Sequence, residues 1–271
     1  MTESKKFAVI GSPIKHSLSP KIHQIFASKL DLEISYQALE VKPEEFDISV
    51  EKLFEDGYDG LNVTLPLKEL AYEYADRQTE ESEICKSVNT LWKDGSSILA
   101  DSTDGRGLLK DFSNNRIDVQ NKEVVILGAG GSAKAIIPSL IKASPKRITI
   151  GNRTISKAEK LAEEYAFLNI PIDIIPMSIE LDFRPDLVIN TTSAGVLDQG
   201  LELPNNLFSS DACVYDLSYS RMETPFIKMA KKFGTKRYYD GLGMLINQAA
   251  LSFAIWTKLV PQTDIGKDEI L

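Results

Sequence analysis

The chain of 271 residues is 43% hydrophobic, enough apolar material for one large or two ordinary cores, and its formal net charge of −8 argues against nucleic acid or an anionic membrane as a main partner. No apolar run approaches the length of a bilayer span, and the polar opening from Met1 to Phe7 meets a strand at once, so a cytoplasmic protein is expected. Cys85 and Cys213 fall far apart in different predicted elements, form no disulfide framework and read as buried filler in a reducing compartment.

From the start, Phe7 to Ile10, Ile34 to Leu39 and Gly60 to Val63 read as strands, with helices from Ser19 to Leu30 and from Pro43 to Glu55 between them. Ser19-Pro20 has the form of a helix opening, a capping hydroxyl followed by proline at the first position. Val88 to Trp92 and Ser97 to Ala100, joined through Asp94-Gly95, predict a hairpin on the same sheet. His16 and His23 are the only histidines and lack supporting Cys or Asp, so no metal site is expected; His16 reads as a structural hydrogen-bonding residue of its loop.

Val124 to Ala133 carries the strongest local signal. An apolar strand runs into Gly128-Ala129-Gly130-Gly131-Ser132-Ala133, a Gly-x-Gly-x-x-Ala turn that opens a helix from Lys134 to Ala143 and is followed by a strand from Arg147 to Ile150. Gly128 would make the tight turn, Gly130 would admit a pyrophosphate, and Ala133 would let the helix pack closely on the strand. Past the second strand, Asn152-Arg153-Thr154 holds no carboxylate for a ribose 2′-hydroxyl; Arg153, with Thr154 and Lys157, suits a 2′-phosphate, so NADP is preferred over NAD. Solvated charges at a helix start are the alternative reading of Arg153 and Lys157.

Leu187 to Asn190, Cys213 to Leu217 and Lys236 to Tyr239 supply further strands of a doubly wound sheet. The last helix, about Leu242 to Val260, lines up Leu242, Leu245, Ile246, Ala249, Phe253 and Trp256 on one face. The expected fold is therefore α/β with two domains: residues 1–104 plus 241–271 as an N-terminal substrate domain to which the terminal helix returns, and residues 105–240 as a Rossmann-like NADP-binding domain, with a ligand cleft between them.

Several separated motifs together resemble the shikimate dehydrogenase family: Gly11-Ser12-Pro13-Ile14-Lys15-His16-Ser17-Leu18-Ser19-Pro20, Asn62-Val63-Thr64-Leu65-Pro66-Leu67-Lys68, Val88-Asn89-Thr90, Thr103-Asp104-Gly105, the glycine turn with Asn152-Arg153-Thr154, and Asp240-Gly241-Leu242-Gly243-Met244-Leu245-Ile246-Asn247-Gln248-Ala249. The match covers nearly the whole chain. It implies NADP-dependent interconversion of 3-dehydroshikimate and shikimate, with Lys68 as general acid/base and Asp104 as its partner. The chemistry agrees, because hydride reduction of a ketone leaves developing negative charge on oxygen and needs a positioned proton donor. In the reverse direction a neutral amine would take the alcohol proton, whereas a nearby carboxylate stabilises the ammonium. Taken alone, the same two residues could be an exposed lysine and an N-capping aspartate.

By the same resemblance, Ser17 and Ser19 would bind the substrate carboxylate, their hydroxyls pointing alike if the segment is extended. Asn62, Thr64, Asn89, Tyr219 and Gln248 would serve the ring hydroxyls or the carboxylate, and Gly241 and Met244 would lie near the nicotinamide; Met244 alone would read as core filler. The chain departs from the family pattern at Gln24, Lys86-Ser87, Ser102 and Arg221, all around the expected substrate pocket, and Lys86 is expected to point to solvent. A homodimer is compatible with this reading. The rivals are a quinate or quinate/shikimate dehydrogenase, and a ligand sensor that keeps both sites without turnover.

Overall fold

The computed structural model describes residues 4–168, 170–192 and 203–271. By its internal contacts the chain divides into Met1–Leu108 with Leu245–Ile270, and Leu109–Met244 with Leu271.

In the first unit, β1 (Lys5–Gly11) is buried at every position from Phe7 onward, the pattern of a strand covered on both faces. It pairs in parallel with β2 (Ile34–Glu40) and β3 (Gly60–Val63). Helices α1 (Ser19–Lys29) and α2 (Phe46–Glu55) fall between these strands, followed by α3 (Lys68–Tyr74), the two-residue β4 (Arg77–Gln78) and α4 (Glu80–Cys85). The antiparallel pair β5 (Thr90–Asp94) and β6 (Ser97–Asp101) then completes a mixed sheet of order β2-β1-β3-β5-β6-β4. The hairpin turn uses Gly95 at φ +62°, but its first strand starts at Thr90, later than the expected Val88, because Val88 and Asn89 bond instead to Lys68 and Asp101. One core joins Ala8, Ile10, Leu61 and Val63 of the sheet to Phe46 and Val50 of α2, each such large side chain contributing about 1.5–3 kcal/mol through burial.

The second unit begins within α5 (Asp104–Asn114) and continues through β7 (Glu123–Leu127), α6 (Gly131–Lys142), β8 (Arg147–Asn152), α7 (Ile155–Glu164), β9 (Ile172–Pro176), β10 (Leu187–Asn190), β11 (Cys213–Asp216), α8 (Pro225–Lys232) and β12 (Arg237–Asp240). Its sheet runs β12-β11-β10-β7-β8-β9 and every pairing is parallel. Strand order reverses at β7, with β8 and β9 added on one side and β10 to β12 on the other, which is the switch point where doubly wound sheets bind ligands beyond the strands' carboxyl ends.

The chain returns to the first unit along α9 (Leu242–Thr257), followed by α10 (Lys267–Ile270). Trp256 stacks on Phe7 with ring centroids 4.7 Å apart, and Phe253 meets Phe26 edge to face at 5.7 Å. The helix stops at Thr257 rather than Val260, since Lys258 turns to φ +62° and the Thr257 hydroxyl accepts the Leu259 N–H. No helix among the described residues is long and apolar enough to cross a membrane.

Candidate active site

In the first unit, Lys68 opens α3 and Asp104 opens α5, and the lysine Nζ lies 2.5 Å from Asp104 Oδ2. Both are largely shielded, with side-chain exposures of 13% and 9%, so the ion pair is much less screened than one at the surface. Asn89 takes the other carboxylate oxygen: its Nδ2 donates to Asp104 Oδ1 at 3.0 Å, to Gln248 Oε1 at 3.0 Å and to Thr103 Oγ1 at 2.8 Å, two protons shared among three acceptors. Asn89 Oδ1 accepts from the Thr103 N–H at 2.9 Å and the Thr90 hydroxyl at 2.9 Å, which fixes which way the amide faces. Gln248 donates from Nε2 to Leu245 O at 2.9 Å. Lys68, Asn89, Asp104 and Gln248 therefore form one connected group.

Asn62 belongs to a deeper layer. Its Oδ1 accepts the Tyr36 phenol at 2.7 Å, and its Nδ2 donates to Asn89 O at 2.9 Å and Ser252 Oγ at 3.0 Å, so its amide is already filled by the protein. Ser252 in turn lies 2.7 Å from Thr90 Oγ1. Burial pushes the Tyr36 phenol well above its usual range, with the Ser19 hydroxyl pulling the other way. His23 stacks on Tyr36 at 4.2 Å; burial drives its imidazolium down to about 3, the Asn62 side chain pulling weakly upward. Thr90 and Thr103 stand in the sequence motifs without a role of their own, and Ser252 stands in none. The only cue to Ser252 is its place one turn beyond Gln248 on α9.

Three local expectations are corrected. Ser19 does not cap α1: Leu18 stands in the cap position with no side-chain acceptor, and Ser19 is the first helical residue. Because Ser19 is helical, it and Ser17 do not alternate as in an extended chain; instead the Ser19 N–H donates to Ser17 Oγ at 3.3 Å. His16 is exposed and makes no hydrogen bond among the described residues, the buried histidine being His23. Thr64 follows β3 half-buried, and its hydroxyl makes no hydrogen bond among the described residues.

The departures also find places. Gln24 donates to Ile34 O at 3.3 Å, Arg221 is exposed, and Lys86 is exposed in the left-handed position that ends α4, at φ +44°. Ser87 is fully buried with no partner for its hydroxyl among the described residues, while Ser102 lies beside the Cys85 thiol, which burial pushes up to about 11. Cys85 and Cys213 are both free and buried.

In the second unit the glycine turn lies between β7 and α6. Gly128 has φ +105°, and a Cβ there would stand 2.6 Å from Thr191 Oγ1, so the chain itself demands glycine. Gly130 differs: a Cβ there would meet nothing within 4 Å, so no described residue demands glycine and the space beside this backbone is open. Gly130 flanks α6 and makes no side-chain cap, so the first amides of Gly131, Ser132 and Ala133 have the form of a helix start that can hold an anion. Ala133 is fully buried. Leu127 pairs with Gly151, so the turn after β8 is its neighbour. There Asn152 Nδ2 donates to Thr154 O at 2.8 Å, while Arg153, Thr154 and Lys157 are exposed and the two cations make no ion pair among the described residues. These residues fit a dinucleotide that carries a 2′-phosphate.

Also in this unit, Tyr219 is half-buried with its phenol raised by burial. Gly241 packs so tightly under the Leu217 carbonyl that no Cβ fits, and its N–H donates to Ser218 O at 3.1 Å. Met244 is half-buried in the first turn of α9. Among the described residues no group of His, Cys, Asp and Glu is arranged to hold a metal ion.

Three family models match the chain: the shikimate dehydrogenase substrate binding domain over residues 9–91, shikimate / quinate 5-dehydrogenase over residues 110–196, and the shikimate 5′-dehydrogenase C-terminal domain over residues 241–271. A relative from Legionella pneumophila (strain Corby), named shikimate dehydrogenase (NADP(+)), is 41% identical over 260 residues, covering 96% of each chain. Among solved structures, shikimate dehydrogenase from Aquifex aeolicus is 30% identical with a TM-score of 0.89, covering 100% of this chain and 98% of that one. The Thermus thermophilus enzyme, solved in complex with NADP(H) and shikimate, is 32% identical with a TM-score of 0.85, covering 96% and 95%.

Proposed function

The chain belongs to the shikimate dehydrogenase family, and on that premise we propose that it reduces 3-dehydroshikimate reversibly to shikimate with NADPH, on the way to chorismate and the aromatic amino acids. The observation that carries the catalytic reading is the shielded Lys68–Asp104 pair, one carboxylate oxygen on the ammonium and the other on Asn89.

When bound, NADPH supplies hydride to the ketone carbon. Lys68 donates a proton to the oxygen on which negative charge develops, and in the reverse direction its amine takes the alcohol proton. Asp104 holds Lys68 and accepts from a ring hydroxyl, while Asn89 and Gln248 set its orientation. Ser17 and Ser19 receive the substrate carboxylate, and the hydroxyls of Thr64 and Tyr219 bond ring hydroxyls. We give Asn62 a supporting role, since its amide is spent on Tyr36, Asn89 and Ser252.

The backbone amides from Ala129 to Ala133, with Gly128 and Gly130 making room, would hold the pyrophosphate. Asn152, Arg153, Thr154 and Lys157 would hold the adenosine 2′-phosphate, and Gly241 and Met244 would border the nicotinamide. Two buried, unpaired thiols fit work in a reducing cytoplasm.

The deciding experiment is initial-rate oxidation of shikimate and of quinate by the purified protein, each with NADP+ and NAD+, followed at the nicotinamide absorbance. The expected result is a strong preference for shikimate with NADP+. Preference for quinate or for NAD+ overturns the substrate or the cofactor assignment respectively, and saturable nucleotide binding without turnover overturns both in favour of a sensor.

A further inference from the structure

Strands β10 and β11 end side by side, with Asn190 paired to Asp216, and both residues are 1% exposed. Asn190 Nδ2 donates to Asp216 Oδ1 at 2.9 Å. The same carboxylate oxygen accepts the Ser218 N–H at 3.1 Å, and the Thr224 and Ser218 side chains lie close enough to favour the charged carboxylate. Thr224 starts α8, its Oγ1 accepting the Ile227 N–H at 3.3 Å. One buried carboxylate thus ties the beginning of the 217–224 segment to its end and both to the neighbouring strand. Tyr219 sits inside the closed segment.

The other side of Asn190 faces the nucleotide turn. Asn190 Oδ1 accepts from Thr192 N–H at 3.1 Å and from its hydroxyl at 2.7 Å. The preceding Thr191 donates its hydroxyl to Leu127 O at 2.8 Å and packs against Gly128. Burial raises the Asp216 carboxyl above its ordinary value, and the donors that converge on it from Asn190, Ser218 and Thr224 pull the other way.

We propose that Asp216 is a positioning residue, a clamp that closes the 217–224 segment and thereby aims Tyr219 at the substrate. It touches neither substrate nor cofactor. The proposal rests on the assignment of Tyr219 to substrate binding made above.

The test is Asp216→Asn, which preserves shape but sets an amide donor against donors already in place. The Michaelis constant for shikimate should rise about tenfold while kcat falls less than threefold and the constant for NADP+ moves less than threefold, the signature of lost substrate binding. Paired with Tyr219→Phe, the double variant should be no worse than the poorer single variant, since both act through one phenol. By hydrogen exchange, amides of 218–223 should exchange at least tenfold faster than in the parent, with β7 and β10 unchanged. Thr224→Val should act in the same direction and Thr224→Ser should restore the parent behaviour, which keeps the test open if Asp216→Asn fails to fold. A parental Michaelis constant in Asp216→Asn, independent losses in the double variant, or unchanged exchange overturns the clamp. A parent protein inactive with shikimate overturns the proposed reaction instead, and the exchange rates still judge the clamp.

Discussion

Gly107 and Gln248 meet backbone to backbone: a Cβ at Gly107 would stand 2.7 Å from the Gln248 nitrogen and 2.9 Å from its Cα. That closeness lets the Gln248 amide reach Asn89. Gly107→Ala should therefore push α9 back, costing about 1–3 kcal/mol of stability and raising the Michaelis constant for shikimate. Denaturant melts with initial rates check it; unchanged values for both show that the helices separate freely there.

Lys68→Ala should lower kcat by about two to four orders of magnitude with a smaller effect on substrate affinity, the loss typical of a removed general acid. A drop of less than about tenfold in a folded variant removes Lys68 from that role.

Arg153 is exposed at the turn after β8 and makes no ion pair among the described residues, so it is available for a 2′-phosphate. Arg153→Ala should weaken NADP+ binding by at least about tenfold and leave NAD+ nearly as before. Equal weakening of both cofactors, measured by fluorescence titration, shows that the 2′-phosphate is held elsewhere.

His23 should make stability depend on pH. Its folded value near 3 lies below the unfolded 6.5, so the unfolded chain binds the extra proton between those limits and stability falls as pH drops through that window. From pH 6.5 to 5 the loss attributable to His23 should be about 1.5 kcal/mol. Neither ring nitrogen has a hydrogen-bond partner of good geometry among the described residues, so His23→Phe should remove that part of the slope; urea unfolding at the two pH values decides.

Lys86 holds a left-handed conformation at φ +44° with its side chain in solvent. Lys86→Gly should stabilise the fold by about 0.5–1 kcal/mol, seen as a higher urea midpoint at unchanged slope, with shikimate kinetics as in the parent. A raised Michaelis constant shows instead that the ammonium helps gather the anionic substrate.

Strands buried on both faces were legible from apolar runs alone, and Gly60–Val63 and Leu187–Asn190 have the bounds their sequences suggest. The glycine turn was legible because its demand is local: φ +105° at Gly128 is written into that residue. The two-residue β4 was not, being too short for any periodicity and existing only where β6 offers an edge. Nor was the inner polar network, whose bonds join residues 162 apart for Thr90 with Ser252 and 190 apart for Asn62 with Ser252. Ser19 was misread because a serine before proline suits both a cap and a first helical residue, and Ser17 two residues earlier decided between them.

The saturation of Asn89 bears on how such an enzyme can change over generations. An amide whose every donor and acceptor is engaged cannot be swapped alone without stranding Asp104, Gln248 or Thr103, so drift at this position is trapped unless several neighbours change together. Thr64 and Tyr219, whose hydroxyls bind nothing else among the described residues, can vary one at a time. Divergence toward new substrates in this lineage should therefore begin at those rim hydroxyls and leave the inner amides as inherited.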